Sequence, residues 1–388
     1  MGNRYDAIII GGGSVGVPTA LFLTLEGLKV LVVESNPSVG QGQNKAAIGG
    51  VRATHSDPAK IHICQESLRI FSQWRETYGH HIGWKMGGYC FPVYRPNEEK
   101  ILKTLLPIQK SYGLRIEWLD AQGIRDLIPG ILADGLIGGT FSPDDAQVSP
   151  LLAIDAMFRV SRDRGCTYRF GEKALAFLIE GGRVKGVRTQ HNTYYAPVVL
   201  NAAGAGAREV GHLAGLDIPV TPDSHEAGIS VPVEQFLGPL VVDLRPGPEG
   251  KTANFYFGQN DEGAIIFCYT PNTLFVGTNR EPTSEFLPVL ARRMVTLLPR
   301  LRHLLIRRVW RGLYPMTPDG LPICDQVREI EGLYLAVGMC GQGFMMGPGI
   351  GRNMANQIVH GGPLMAPDIF ATLSFYRDFY GAKKEKLR

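Results

Sequence analysis

Three glycines, Gly11, Gly13 and Gly16, stand at G-x-G-x-x-G spacing directly after the apolar run Ala7-Ile8-Ile9-Ile10, and an acid, Glu34, lies 23 positions after the first of them. Residues of these types in this order bind a diphosphate. The first glycine lets the chain turn sharply out of a strand, the second leaves room for a pyrophosphate against the backbone, and the third lets a helix pack closely on the sheet. The helix that follows offers unpaired N–H groups and the positive end of its dipole. An acid at the end of the next strand favours a free ribose 2′-hydroxyl, so the pattern predicts FAD or NAD rather than a 2′-phosphorylated dinucleotide.

Two other places could do chemistry. Arg52, in the small-residue loop 40–55, could hold a substrate carboxylate with its planar guanidinium beside a bound ring; its other reading is a surface ion pair. His55 follows three residues later and reads as either a functional or a hydrogen-bonded structural histidine. Near the other end, five glycines fall between Gly338 and Gly349. The helix expected from about Gly351 to His360 brings a second positive dipole end to the same domain, where it could stabilise negative charge on a reduced ring.

The elements that must position these residues follow from periodicity. Residues 5–34 read as one βαβ unit, with Pro18 in the first helical turn and Gly27 closing the helix. Residues 59–78 carry apolar side chains at helical spacing, and Ser149-Pro150 opens a capped helix to about Arg164. From Ala174 two strands flank the turn Gly181-Gly182, and Val198 to Leu200 form a second buried strand ending in Asn201-Ala202-Ala203-Gly204. Small residues there permit close contact with a cofactor. A clear helix is expected over 284–301.

The chain has 388 residues, more than one core usually serves. Two domains are therefore expected, and the elements above suit an α/β fold: a Rossmann-like FAD- or NAD-binding domain from residues 1–85, 145–218 and 309–388, with an inserted α+β substrate domain from 86–144 and 219–308 on a mixed or antiparallel sheet. The net charge of +4 is small and scattered, which excludes a nucleic-acid stripe. The basic residues Lys383, Lys384, Lys386 and Arg388 read as a solvated tail. No apolar run is long enough for a membrane span, and the opening leads into a strand rather than a leader, so a cytoplasmic location is expected. The six cysteines show no C-x-x-C spacing, so no metal site or disulfide framework is expected.

With these pieces placed, the chain resembles the D-amino acid oxidase superfamily of flavoproteins over nearly its full length. IIIGGGSVG with Glu34, VVLNAAGAGA at Val198 to Ala207, WRGLYPMTPDGLPI at Trp310 to Ile323 and GQGFMMGPGIG at Gly341 to Gly351 occur in that family's order. Within it, the chain resembles the β subunits of heteromeric sarcosine oxidase and of dye-linked L-proline dehydrogenase. The resemblance implies noncovalent FAD against Gly11, Gly13, Ser14, Val15, Gly16, Glu34 and Ser35, then Asn44, Lys45, Gly49 and Gly50, then Ala174, Ala203, Gly204 and Gly312, and finally Gly341, Gln342, Gly343, Phe344 and Met345.

It further implies oxidation of the carbon–nitrogen bond of an amino acid or N-substituted amino acid such as sarcosine, proline or an opine. Arg52 matches the carboxylate-binding arginine, and His225, Tyr314 and Met345 match positions near the flavin, with His55 beside them as a catalytic candidate. Gly312 stands where monomeric sarcosine oxidases carry the cysteine that bonds FAD. Met345 replaces a second cation, and Ile265 aligns with a lysine that promotes reaction with oxygen, which implies a dehydrogenase. A partner subunit or a homo-oligomer fits the resemblance. The rival readings are a 2-hydroxy acid dehydrogenase, a flavin-carrying subunit whose partner does the main chemistry, and an FAD protein of RNA modification.

Overall fold

In the computed structural model, which describes residues 3–381, the run Ala7–Ile10 is an interior strand of a six-stranded sheet. The order across that sheet is Ile323–Gln326, Leu333–Val337, Val198–Asn201, Ala7–Ile10, Val30–Glu34, Thr167–Phe170. Every pair is parallel except the first, which adds an antiparallel edge. All residues of Ala7–Ile10, Val30–Glu34 and Leu333–Val337 are buried, which is why they read as unbroken apolar runs rather than alternating ones. The chain leaves the Ala7–Ile10 strand toward Val30–Glu34 on one side and returns at Val198–Asn201 on the other. A crevice opens beyond the carboxyl ends of strands at such a reversal, and ligands of open α/β sheets bind there. The basic residues at 383–388 lie outside the described residues.

Three helices cover one face of this sheet: Gly16–Leu25, Pro58–Tyr78 and Gly343–His360. The second starts on Asp57, whose side chain accepts from Lys60 N at 3.1 Å. The third begins eight residues earlier than expected and runs through Pro348. Its glycines are packing residues rather than a connector. A Cβ at Gly347 would fall 1.8 Å from the Ser14 carbonyl oxygen, at Gly349 2.1 Å from that of Ile63, and at Gly351 2.7 Å from Thr19 N. The helices therefore meet backbone to backbone. Each helical glycine costs about 1 kcal/mol relative to alanine, and the contact it permits offsets that loss.

The second large sheet has eight strands in the order Ile306–Met316, Thr221–Pro232, Ala264–Pro271, Thr252–Gln259, Leu240–Asp243, Tyr89–Val93, Gly138–Ser142, Glu117–Asp120. Only the Leu240–Asp243 and Tyr89–Val93 pair is parallel. Residues 309–316, grouped above with the cofactor domain, are the edge of this sheet, paired with Thr221–Pro232 from Thr221↔Met316 to Gly228↔Val309. The helix Phe286–Leu297 covers the far face. A two-residue turn at Gly181-Gly182, with φ of +57° and +74°, joins Ala174–Glu180 to Arg183–Thr189; two left-handed residues give the tight hairpin that was expected. A small sheet of Gly50–Val51, Ala146–Gln147 and Lys85–Met86 ties loop 40–55 to the rest of the molecule.

Candidate active site

The turn after the first strand shows why each glycine is there. Gly11 has φ +112°, and a Cβ on it would lie 2.5 Å from the Ala202 carbonyl oxygen; on Gly16 it would lie 1.9 Å from that of Gly11. At Gly13 a Cβ would meet nothing within 4 Å. Two of the glycines thus serve contact within the protein, and the middle one faces open space. Glu34 is buried, with Oε2 accepting from Gly12 N at 2.7 Å and Oε1 from Asn36 N at 2.7 Å and Asn36 Nδ2 at 2.6 Å. Its carboxylate is fixed at the edge of the opening. Gly11, Gly13, Ser14, Val15, Glu34 and Ser35 line one continuous cavity of about 1020 Å³.

The cavity runs on past Asn44, Gly49, Gly50, Ala174, Ala203, Gly204, Gly312 and Gly341 through Met345. Small residues are needed at several of these places. A Cβ on Gly50 would fall 1.8 Å from Tyr89 Oη, on Gly204 2.2 Å from Gln43 Oε1, on Gly312 2.6 Å from Ala46 Cβ, and on Gly341 2.2 Å from the Tyr314 ring. Asn44 is buried and donates from Nδ2 to Pro150 O at 2.9 Å. Gly16 and Lys45 stand outside the lining. Gly16 supports the turn from behind, and Lys45 is exposed, with Nζ on Gln41 Oε1 at 3.3 Å.

Arg52 is 6% exposed and lines the same cavity, its guanidinium 5.8 Å from the Phe91 ring centroid. It follows the strand Gly50–Val51, whose partner is Ala146–Gln147. Asp145, just before that partner, accepts from Ala53 N at 2.7 Å and from Thr54 Oγ1 at 2.8 Å. The residues following Arg52 are thereby clamped, and Arg52 itself donates to the Thr54 carbonyl. Burial pushes the Asp145 carboxyl up to about 6, against the opposing pull of Ala53 N, Thr54 and the Arg52 guanidinium. The surface reading of Arg52 is excluded.

His55 is a correction. It has no exposed surface and stands outside the cavity lining, with Nε2 3.5 Å from Cys64 Sγ. Burial first, then the charges of Arg52 and Lys60, hold it well below the usual imidazole range. It is a neutral structural histidine, because the segment after Arg52 turns inward under the helix Pro58–Tyr78.

The eight-stranded sheet supplies the opposite wall. His225 and Tyr314, on adjacent strands, lie against one another with ring centroids 3.9 Å apart and planes tilted by 31°. His225 Nε2 lies 3.3 Å from Asp223 Oδ2, and Tyr314 Oη lies 3.2 Å from Tyr256 Oη. Burial pushes the Tyr314 and Tyr256 phenols far up and the Cys268 thiol up to about 12, so none ionises near neutrality. Burial works against the Asp223 charge, but His225 and the N–H groups of Ser224 and Phe275 hold this carboxyl below its ordinary range.

Ile265 is the second correction. It is fully buried in the cluster between this sheet and the helix Phe286–Leu297 and does not line the cavity. Side chains alternate along a strand, so it is Cys268 and Thr270 of the same strand that reach the cavity. Ile265 therefore carries no inference about oxygen.

The sequence reading missed Tyr89, Phe91, Asp223, Asn254, Tyr256 and Cys268, all in the lining. Alternation within the strands 89–93, 252–259 and 264–271 was the available signal, but it does not tell which face meets the cofactor domain. All six cysteines are free thiols. Among the described residues no His/Cys/Asp/Glu group could hold a metal, and no helix is long and apolar enough to cross a membrane.

Comparison with known proteins adds the family. A model described as FAD dependent oxidoreductase (DAO) matches residues 6–357. Human mitochondrial sarcosine dehydrogenase is 24% identical over 379 residues, covering 93% of this chain and 40% of that protein. The chain thus spans well under half the length of that relative. Glycine oxidase of Geobacillus kaustophilus (strain HTA426) is 27% identical over 373 residues, covering 92% of this chain and 94% of the relative. Among solved structures, L-proline dehydrogenase from P. horikoshii superposes with a TM-score of 0.90 at 28% identity, covering 97% of this chain and 98% of the other. The residues present fit the cofactor in the family's name: an open cradle over Gly13, a fixed carboxylate at Glu34, and one cavity joining both to the glycine-rich helix start at Gly343.

Proposed function

Since the chain belongs to the FAD dependent oxidoreductase family, we propose that it oxidises the carbon–nitrogen bond of an amino acid or N-substituted amino acid. The observation that carries this reading is Arg52, a buried guanidinium on the wall of the cavity that begins at the dinucleotide turn. A planar guanidinium on this wall has the geometry to hold a substrate carboxylate bidentately. FAD, when bound, supplies the acceptor for the hydride that leaves the α-carbon.

The remaining work belongs to the chain. Gly13 and the helix start after it take the diphosphate, and Glu34 takes the ribose. Arg52 fixes the carboxylate, so that the α-hydrogen is held in one orientation, and positioning of this kind supplies most of a protein's share in cofactor chemistry. The walls of Tyr89, Phe91, Tyr256 and Tyr314 exclude water. Gly312 offers no nucleophile at the position where relatives attach the flavin, which supports noncovalent FAD. The overall similarity to L-proline dehydrogenase supports an acceptor other than oxygen.

The test is anaerobic titration of the yellow protein with secondary and primary amino acids and with 2-hydroxy acids. Loss of flavin absorbance with the amines supports the reading. Bleaching by lactate or 2-hydroxyglutarate alone replaces it with hydroxy acid oxidation, and bleaching by neither leaves a flavin-carrying subunit.

A further inference from the structure

One band of the substrate wall is polar and unpaired. Asn254 stands on the strand Thr252–Gln259 directly opposite Thr270 of Ala264–Pro271, in the register Asn254↔Thr270. Two residues before Thr270, Cys268 pairs with Ala227 of the next strand, and His225 lies two residues before Ala227. Side chains two apart on a strand share a face, so Asn254, Thr270 and His225 form a row across three strands, and all three line the cavity. Asn254 is only 8% exposed, yet its Oδ1 has no partner, and His225 Nδ1 has none either. Among the described residues neither Asn254 Nδ2 nor the Thr270 hydroxyl makes a hydrogen bond. The neighbouring row differs. There Val242, Tyr256 and Cys268 face the same cavity, and Tyr256 Oη already meets Tyr314 Oη.

A buried carboxamide left without a partner is destabilising, and a bound molecule that pairs with it removes that penalty. Whichever way round the Asn254 amide stands, it and the Thr270 hydroxyl offer donors and acceptors and no net charge. The carboxylate on this side, Asp223, is occupied by Ser224 N, Phe275 N and His225. Arg52 lies over Phe91, and the strand of Phe91 is separated from that of Asn254 by the single strand Leu240–Asp243. Two strand spacings are about 10 Å, which one small amine and the hydrogen bonds at its two ends can bridge. Resting on the amine-oxidising reading above, we propose that Asn254, assisted by Thr270, is a specificity-determining residue that selects amines whose substituent ends in an uncharged hydroxyl or carboxamide, with the carboxylate on Arg52. The polar end takes no part in bond breaking. It pairs with Asn254, whereas an alkyl group of the same shape leaves that carboxamide desolvated and unpaired.

Isosteric pairs test this with the holoenzyme: N-(2-hydroxyethyl)glycine beside N-propylglycine, N-(carbamoylmethyl)glycine beside N-isobutylglycine, homoserine beside norvaline, and asparagine beside leucine. In the best-fitting pair the polar member should exceed its alkyl partner about fivefold in kcat/KM, the scale of one net hydrogen bond. The gain should lie in KM rather than in kcat. Asn254→Leu, which nearly keeps the volume, should bring that ratio to about one, and Thr270→Val should lower it by a smaller factor. Flavin content and melting temperature check that each variant folds. Should Asn254→Leu not fold, Thr270→Val, at a half-buried position, carries the comparison, and a ratio it leaves unchanged overturns the assignment. S-(2-hydroxyethyl)thioglycolate and S-propylthioglycolate, which have no amine to oxidise, give the same comparison as dissociation constants read from the flavin spectrum. If polar and alkyl members react equally in every pair, or if Asn254→Leu lowers both members of the best pair by the same factor, the assignment of Asn254 is overturned alone. If no member of any pair bleaches the flavin, it is overturned together with the amine reading.

Discussion

The two walls of the cavity are built on different principles. On the cofactor side the backbone does the work: positive φ at Gly11, missing side chains at Gly13, Gly16 and Gly347, and helix starts at Gly16 and Gly343. On the substrate side the work falls to side chains from separate elements, with Arg52, His225, Tyr256 and Tyr314 brought together from four places in the chain. A backbone site tolerates almost no added atom, whereas a side-chain site can be retuned one residue at a time. The first suits a cofactor that does not change, and the second a substrate that can differ between relatives.

Substitutions can break that contrast, and the largest effects belong to the glycines that face protein. Gly16→Val or Gly347→Val would drive a side chain into a carbonyl oxygen that lies less than 2 Å from the ideal Cβ, at about 3 kcal/mol or more. A drop in melting temperature with loss of yellow colour is expected. Gly13→Ala sharpens the point, since its methyl meets no protein atom within 4 Å. Its melting temperature without cofactor should stay near that of the parent, while FAD affinity, measured by fluorescence titration, should fall at least tenfold as the methyl fills the cradle.

On the other wall, Arg52→Ala should weaken substrate binding at least tenfold, the scale of one charge-assisted pair, as read from the concentration dependence of anaerobic bleaching. An unchanged value would remove Arg52 from the site. A shallower effect comes from Asp145. In the folded chain burial holds its carboxyl up to about 6, whereas in the unfolded chain it titrates near the ordinary value of about 4. The stability this group contributes is present below about pH 4 and is lost as pH climbs through about 6. Asp145→Asn should therefore show a melting temperature less dependent on pH across that window. The smallest effect is expected at Lys45, exposed and outside the cavity, where Lys45→Ala should alter stability and FAD binding by less than about 0.5 kcal/mol.

Much of the cofactor side was legible because its signals are local. A glycine triplet, an apolar run and an acid within 30 residues specify a turn regardless of what surrounds it. On the other wall, Arg52, His225 and Tyr314, singled out through resemblance, do line the cavity, whereas His55 and Ile265 do not. Both lie within a few residues of true lining positions and face the other way. His55 fails because the segment turns inward after Asp145 clamps Ala53 and Thr54, and Ile265 because it has the wrong parity on its strand. The helix at Gly343–His360 was cut short for a related reason: glycine and proline end helices in isolation, and only contact with Ser14 and Ile63 reverses that preference.

The sequence by itself determined the dinucleotide turn, the buried parallel strands and the acid that ends the second of them, since each depends on residues close together along the chain. Tertiary structure alone decided which face of each strand in the eight-stranded sheet meets the cavity, and that residues 309–316 serve this sheet. Those outcomes depend on pairing between segments far apart in the chain, and neither composition nor period carries that register.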